Sequence, residues 1–451
     1  MDSDHIFWNA GLPTLVAGLH LGKYGSQSRA QFMGSPNLKA QPWTNEGGGI
    51  WSTPVEHAFG TTTGQGKLTT TAERWTVTTW SQPGKIKTSL AALAVDGDHF
   101  HADGAGTPKL YVMSTGGNPG TRADWPRIIY TRVNRALSLI GLTGVTIEDL
   151  DFQGYRSSDA AIPIVDSHNT LLRNVWLEGC FSKGLYTQMS KIAGTDQAPN
   201  IPMTVRLEDC RGNHAGRGGI SGEHLLMNGS SGGAHQVRQL EIIGGEYGPY
   251  AGEDVLTCNG KTAVDGVGVA DYSHTLLDGV KMWQGQGAGV VENPFDGKGG
   301  NLTIRNGWFS GAGQGAGTQA ITLHVFMLNV LIENTYIEGR FRSALHCGNN
   351  SSPGNPDMNY TVRNNTIEQN ATTATTLEID QDCIPGRVLA EGNTIKGRLD
   401  TSANAGYCVH VASNNQIVRD NDLVKRNAAA HLGIDAGVTG TNTGPPDNRM
   451  T

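Results

Sequence analysis

Between residues 211 and 297 the chain gathers side chains that can carry protons. RGNHAGRGG supplies His214 and Arg217, SGEH supplies Glu223 and His224, and GED supplies Glu253 and Asp254. VDGVGVAD adds Asp265 and Asp271, and VENPFDG adds Glu292 and Asp296. Paired carboxyl groups do acid–base work on glycosidic bonds. They stand about 5–5.5 Å apart in retaining hydrolysis and about 6.5–9.5 Å apart when a water must fit between them. Whether any two of these residues meet at such a distance depends on the elements that carry them.

Those elements announce themselves as a repeated phrase. It runs VTIEDLDFQG, LLRNVWLEG, VRLEDCRGN, LEIIGGEYG, LLDGVKMWQG, LTIRNGWFSG, VLIENTYIEG, TVRNNTIEQN, LAEGNTIKG and IVRDNDLVK. Each is a short alternating strand, a turn residue, and a second short strand. The turn residues are Asp149, Asn174, Asp209, Gly244, Gly279, Asn306, Asn334, Asn364, Gly392 and Asp420, at spacings of 25, 35, 35, 35, 27, 28, 30, 28 and 28. Asn, Asp and Gly tolerate the left-handed backbone of a sharp corner. A period of 20–50 residues built from strands and corners reads as a solenoid. No helix-forming half appears in the repeat, which separates it from leucine-rich arrays.

The phrase resembles the coils of right-handed parallel β-helix proteins of the pectate-lyase-like superfamily, over roughly residues 125–435. The expected fold is all-β, a right-handed parallel β-helix of about ten coils. Residues 1–60 read as an arm or attachment segment, 61–124 as a β-rich cap and 436–451 as a tail. The cap would cover apolar residues that the first coil exposes. The same plan is similar to bacteriophage tailspikes and to carbohydrate-active β-helix enzymes. That resemblance implies a protein that binds host surface polysaccharide and hydrolyses it, docked to other virion proteins through its arm and assembled as a homotrimer. A secreted polysaccharide hydrolase or lyase and a non-catalytic virion spike are the competing readings. Specific family motifs, such as the N-T-D, G-H-G and R-I-K set of polygalacturonases or D-P-H-D of alginate epimerases, are absent from the sequence.

Aligning the second strand of each coil on an inward apolar residue gives Leu185, Ile220, Val255, Val290, Ile321, Leu345, Leu377 and Val409. In this register the preceding outward position reads Gly184, Gly219, Asp254, Gly289, so Asp254 stands alone in a glycine column. Neighbouring coils lie about 4.8 Å apart, and a diagonal from Asp254 to Glu223 or Glu292 reaches the inverting separation. Asp254 is the expected acid, raised by the second carboxylate, and Glu223 or Glu292 the base. Glu253, His214, Arg217, His224, Asp265, Asp271, Tyr250, Tyr247 and Trp283 are the expected sugar contacts, the aromatics by stacking. Taken singly, an acid at such a corner is more often a turn cap or a solvated charge, and Asp265 before glycine is the plainest such case.

Composition narrows the partners. Glycine makes up 62 of 451 residues, about twice the usual share, and charged residues only 17%. A net charge of −7 argues against nucleic acid, which requires a basic face. The six cysteines, Cys180, Cys210, Cys258, Cys347, Cys383 and Cys408, show no metal spacing and are expected to be small buried hydrophobes. No metal or cofactor is expected. No apolar run is long enough to span a membrane, and Asp2 and Asp4 stand where a signal peptide places basic residues. The expected location is a virion, with secretion as the alternative.

Overall fold

The computed structural model describes residues 6–8, 15–27, 29–34, 38–55, 68–69, 87, 89–102, 108–125, 128–130, 135–157, 160–178, 181–190, 202–213, 224–229, 235–250, 254–259, 273–284, 293–311, 319–324, 327–339, 343–348, 358–370, 375–397, 407–424, 426, 432–434, 438–441 and 448–450. Alternating apolar residues in these short strands demand one buried face per strand, and a coil of parallel strands supplies it. Three long parallel sheets result, one of 13 strands and two of 11. We call the first sheet A. Sheet B contains Leu185–Gln188, Asp254–Asn259 and Phe295–Gly297, and sheet C contains Thr204–Glu208 and His274–Asp278. Each coil runs from sheet C through a corner to sheet A, then to sheet B, and back. The parallel β-helix expected from the repeat is the observed fold.

All ten corner residues read from the sequence adopt positive φ, from 49° at Asn174 to 67° at Gly279. Glycine is needed at two of them for a second reason. A Cβ on Gly244 would lie 2.4 Å from Asp209 Oδ1, and one on Gly392 would lie 2.6 Å from Asn364 Oδ1. The corner side chain of one coil leans across the corner of the next, and only a bare backbone clears it.

Beyond the corner a buried asparagine ladder ties the later coils. Asn365 Nδ2 donates to Asn393 Oδ1 at 3.0 Å, Asn393 Nδ2 to Asn421 Oδ1 at 2.9 Å, and Asn421 Nδ2 to Asn448 Oδ1 at 3.0 Å. The backbone N–H of each lower residue donates to the same oxygen. Each amide also donates to a core carbonyl, Asn393 to Val362 and Asn421 to Ala390. On the outside of sheet C charges alternate down one register column, Glu148, Arg173, Glu208, then Asp278, Arg305, Glu333, Arg363, Glu391, Arg419. These pairs are half exposed and individually worth about 0–1 kcal/mol, so they serve register more than stability.

The solenoid extends past the limits read from the repeat. Ala30–Met33 and Ile6–Trp8 join sheet A, and His20–Leu21 joins sheet C, so parts of the expected arm are coil. At the other end Asn448–Met450 pairs with Asn421–Val424, and Asn448 closes the asparagine ladder. The antiparallel part of the N-terminal region is a four-stranded sheet drawn from Thr44–Gly47, Ile50–Pro54, Lys109–Met113 and His99–Ala102. It packs its own small core of Leu38, Trp43, Val55, Leu110 and Trp125. Five cysteines are free and buried, as expected, and Cys180 lies outside the described residues.

Asn393→Ala strands the N–H of Asn365 and the carbonyl of Val362 in the core, and an unpaired buried group costs about 1–3 kcal/mol. Denaturant unfolding should show a loss of that size, while Asn359→Ala on the exposed edge of sheet C stays within about 0.5 kcal/mol.

Candidate functional site

Strand pairing sets which side chains meet. In sheet B the inward column is Leu185, Leu226, Leu256, Phe295, Ile321, Leu345, Leu377 and Val409. The register read from sequence is right at Leu185 and from Ile321 onward, and wrong on the three coils between them. Val255 is displaced by Leu256, and Ile220 and Val290 give way to Leu226 and Phe295. Val255 and Leu256 are both fully buried, so apolarity could not choose between them. The longer coils also insert residues ahead of this strand, which moves the true column further along the chain.

The glycine column therefore dissolves. Gly184 lies beside Leu225, whose carbonyl accepts its N–H, and Asp254 lies beside His224. Asp254 is not an exposed carboxylate on open surface but a fully buried one at the head of its strand. Its Oδ1 accepts from the Asn293 backbone N–H at 3.0 Å and from Asn293 Nδ2 at 3.3 Å. Its Oδ2 accepts from Thr257 Oγ1 at 2.7 Å and lies 3.4 Å from His224 Nδ1, which also contacts Thr257 Oγ1 at 2.8 Å.

One coil on, the outward neighbour of Thr257 is Asp296. Phe295 before it is buried in the core, so alternation turns Asp296 to the outer side of the sheet. Lys298 Nζ lies 2.7 Å from Asp296 Oδ2, and His324 Nε2 lies 3.0 Å from Asp296 Oδ1. His324 comes from the following coil and its backbone is held on both sides. Its N–H donates to Gly297 O at 2.8 Å, and its carbonyl accepts from Met327 N–H and from the buried Tyr360 hydroxyl. The carboxyl of Asp296 is 2% exposed, whereas Lys298 is 28% and His324 17% exposed. The two cationic or basic groups reach solvent, and the acid beneath them does not.

The two carboxyl groups are driven apart in acidity. Burial pushes Asp254 above the ordinary carboxylate range, and the nearby charge of Asp296 pushes it further. Burial acts on Asp296 in the same sense, but the contacts from His324 and Lys298 outweigh it and hold Asp296 below that range. A protonated acid beside an ionised one is the arrangement from which acid and base roles are assigned.

Of the residues expected here, the structure brings together Asp254 and His224. Tyr247 is a correction: its ring is fully buried in the core, its hydroxyl has no hydrogen-bond partner among the described residues, and burial drives that hydroxyl well above its usual range. It does not face a sugar. Trp283 lies on sheet A, half-buried, edge-on to Trp308 at 5.9 Å. Tyr250 is in a sheet A strand, with its side chain outside the described set. Glu223, Glu292, Glu253, His214, Arg217, Asp265 and Asp271 all lie outside the described residues. Sequence reasoning counted Asp296 among the proton-carrying side chains without assigning it a role, and gave none to Lys298, His324, Asn293 or Thr257. The short apolar–any–apolar triplets LTC, FDG, ITL, LHC, LEI and VHV carry the true register and would have placed Asp296 beside Thr257.

A concavity lies on sheet C. It is an open groove of about 500 Å³ lined by His274, Asn301, Asn329, Asn359, Thr361 and Arg363. Its polar side chains descend one per coil at neighbouring register positions.

No family profile matches the sequence, and no curated protein matches it. Among solved structures the chain is similar to XylC in complex with xylose, at 9% identity and a TM-score of 0.45, covering 92% of this chain and 82% of that one. It is also similar to the A-module of the Azotobacter vinelandii mannuronan C-5 epimerase AlgE6, at 12% identity and a TM-score of 0.31, covering 70% and 78%.

The opposite shifts set opposite pH dependences. Asp254 binds its proton more tightly folded than unfolded, so its contribution is full below the ordinary 3.8 and is lost as pH rises through the raised value. Asp296 contributes above 3.8 and loses that contribution as pH falls through its depressed value. Melting curves across pH 4–8 should therefore show Asp254→Asn gaining relative to the parent as pH rises. Asp296→Asn should lose most at neutral pH, where Lys298 lacks its counter-charge.

Proposed function

We propose that this protein binds a carboxylate-bearing polysaccharide across the outer face of sheet B and cleaves it by proton transfer through His324. The observation that carries the reading is that Asp296 holds both His324 and Lys298 while only those two reach solvent. His324 Nε2 lies 3.0 Å from Asp296 Oδ1; a carboxylate so placed favours the tautomer with its proton on Nε2, which keeps the Nδ1 lone pair as a base. Lys298 supplies a cation for the sugar carboxylate and for the negative charge that grows on it.

The reaction class that fits is elimination. His324 removes the proton on the carbon next to the sugar carboxylate, and the electron pair left behind forms a carbon–carbon double bond. The glycosidic carbon–oxygen bond breaks, and the leaving oxygen takes up a proton from His324 or solvent. Asp254 then serves as a positioning residue, fixing His224, Thr257 and Asn293 beneath the site.

The two-carboxyl hydrolysis expected from the sequence is the second reading, and the divergent acidities of Asp254 and Asp296 favour it. Thr257 bonds Asp254 and is the register neighbour of Asp296, so the two carboxyl groups belong to adjacent coils. A third possibility, binding without cleavage, draws on the groove of sheet C.

Incubation with a panel of uronate-containing bacterial and plant polysaccharides distinguishes these. Elimination yields unsaturated uronate absorbance, lost about 10²-fold or more in His324→Gln and Asp296→Asn, with a raised KM in Lys298→Ala. New reducing ends without that absorbance select hydrolysis, and no product from any glycan removes the enzyme reading.

A further inference from the structure

Further along sheet B, beyond Asp296 and Thr322, the outward column continues with His346, Glu378 and His410. None of these takes part in the proton-transfer chemistry above. His346 and Glu378 are register neighbours on successive coils, and Asp380 follows Glu378 by two residues. The backbone N–H of Asp380 donates to Cys347 O at 2.9 Å, which fastens it above the His346 strand. One donor atom each from His346, Glu378 and Asp380 fall within 4.8 Å of one another.

We propose that His346, Glu378 and Asp380 form a site for a divalent transition-metal ion of the zinc class. The distances suit such an ion. His346 Nε2 and Asp380 Oδ2 are 3.1 Å apart. Two ligands on a tetrahedral zinc, with bonds of about 2.0–2.2 Å, stand roughly 3.3–3.5 Å apart. The pair needs to open by only a few tenths of an ångström around the ion.

Each donor group is also steadied at its other atom, as metal ligands are. Gln319 reaches His346 Nδ1 at 2.6 Å. In the structure Gln319 Nε2 is the atom on Nδ1 while its Oε1 accepts from Thr322 Oγ1; turning the amide about its last bond, which leaves its shape unchanged, puts the oxygen on the Nδ1–H and frees the His346 Nε2 lone pair for the ion. Ser343 Oγ donates to Glu378 Oε2, leaving Oε1. The Gln381 N–H donates to Asp380 Oδ1 at 2.6 Å, leaving Oδ2. This outer ring of bonds is a feature an ordinary surface ion pair lacks.

The site is closed on one side and open on the other. His346 is 8% exposed and Asp380 28%, so an ion has a route in and room for a water as fourth ligand. One imidazole with two carboxylates suits zinc, iron or manganese better than calcium, which takes 6–8 oxygens. His410, one coil further, is stacked on Tyr407 at 5.6 Å and is left outside the ligand set.

The test is calorimetric titration of the EDTA-stripped full-length protein with Zn²⁺, repeated with Co²⁺ to read ligand-field absorption and with Ca²⁺ as competitor. The expected result is one saturable zinc equivalent per chain, unaffected by calcium. His346→Ala and Asp380→Asn should abolish that step, and Gln319→Leu should weaken it about 10–100-fold through the outer ring. Circular dichroism checks that each variant folds. If His346→Ala does not fold, the near-isosteric Asp380→Asn decides. Absence of a stoichiometric step in the parent, its survival in folded Asp380→Asn, or equal competition by calcium each overturns the site.

Discussion

Every coil turns from sheet C to sheet A through one residue in the left-handed backbone region, and the rest of the molecule depends on that corner. An ordinary L-residue there costs about 1–2 kcal/mol, so the chain spends Asn, Asp or Gly at each of the ten positions. Fixing the corner fixes where the following strand starts. Stacked corners then bring strands into parallel pairing at one spacing, and the hydrogen bonds between coils follow. Where the corner is Gly244 or Gly392, the reason is steric as well as torsional, because the previous coil's side chain fills the space a Cβ would need.

From that repeated geometry comes the chemistry. A parallel solenoid sets residues one period apart side by side, so an Asp and a His some 28–34 positions distant in sequence become contact partners. Three such pairs line sheet B: His224 with Asp254, His324 with Asp296, and His346 with Asp380. Each spans adjacent coils. Their surroundings differ in the charges that face each carboxylate, and those charges sort their properties. Asp254, sealed completely, is pushed toward its neutral form; Asp296, equally buried but facing Lys298 and His324, keeps its charge. The same residue types thus give a sealed pair, a pair that reaches solvent through its histidine, and a pair grouped with a further carboxylate along one sheet.

The thin later coils show the opposite economy. There the interior polar groups are asparagines that satisfy one another from Thr335 N–H through Asn365, Asn393 and Asn421 to Asn448. A fully satisfied buried network specifies a single stacking, since a coil slipped by one residue would leave every amide unpaired. The alternating charges outside sheet C act in the same direction at the surface.

The sequence by itself determined the fold, its period and its corners, because these rest on local rules: alternation sets the faces, and only a few residue types accept a left-handed turn. It also placed the inward column correctly through Ile321, Leu345, Leu377 and Val409, where coils are short and a polar residue separates the apolar ones. Tertiary structure alone decided the site. Val255 and Leu256 are adjacent and both buried, and insertions shift the strands at Leu226 and Phe295, so the phase of the longest coils was not written in apolarity. A one-residue change of phase in a strand exchanges inside for outside. It moved Asp254 from a presumed open column to a sealed one and put Asp296, Lys298 and His324 in its place. Contact across coils is set by inter-strand register, a property of the stacked chain that no single stretch of it carries.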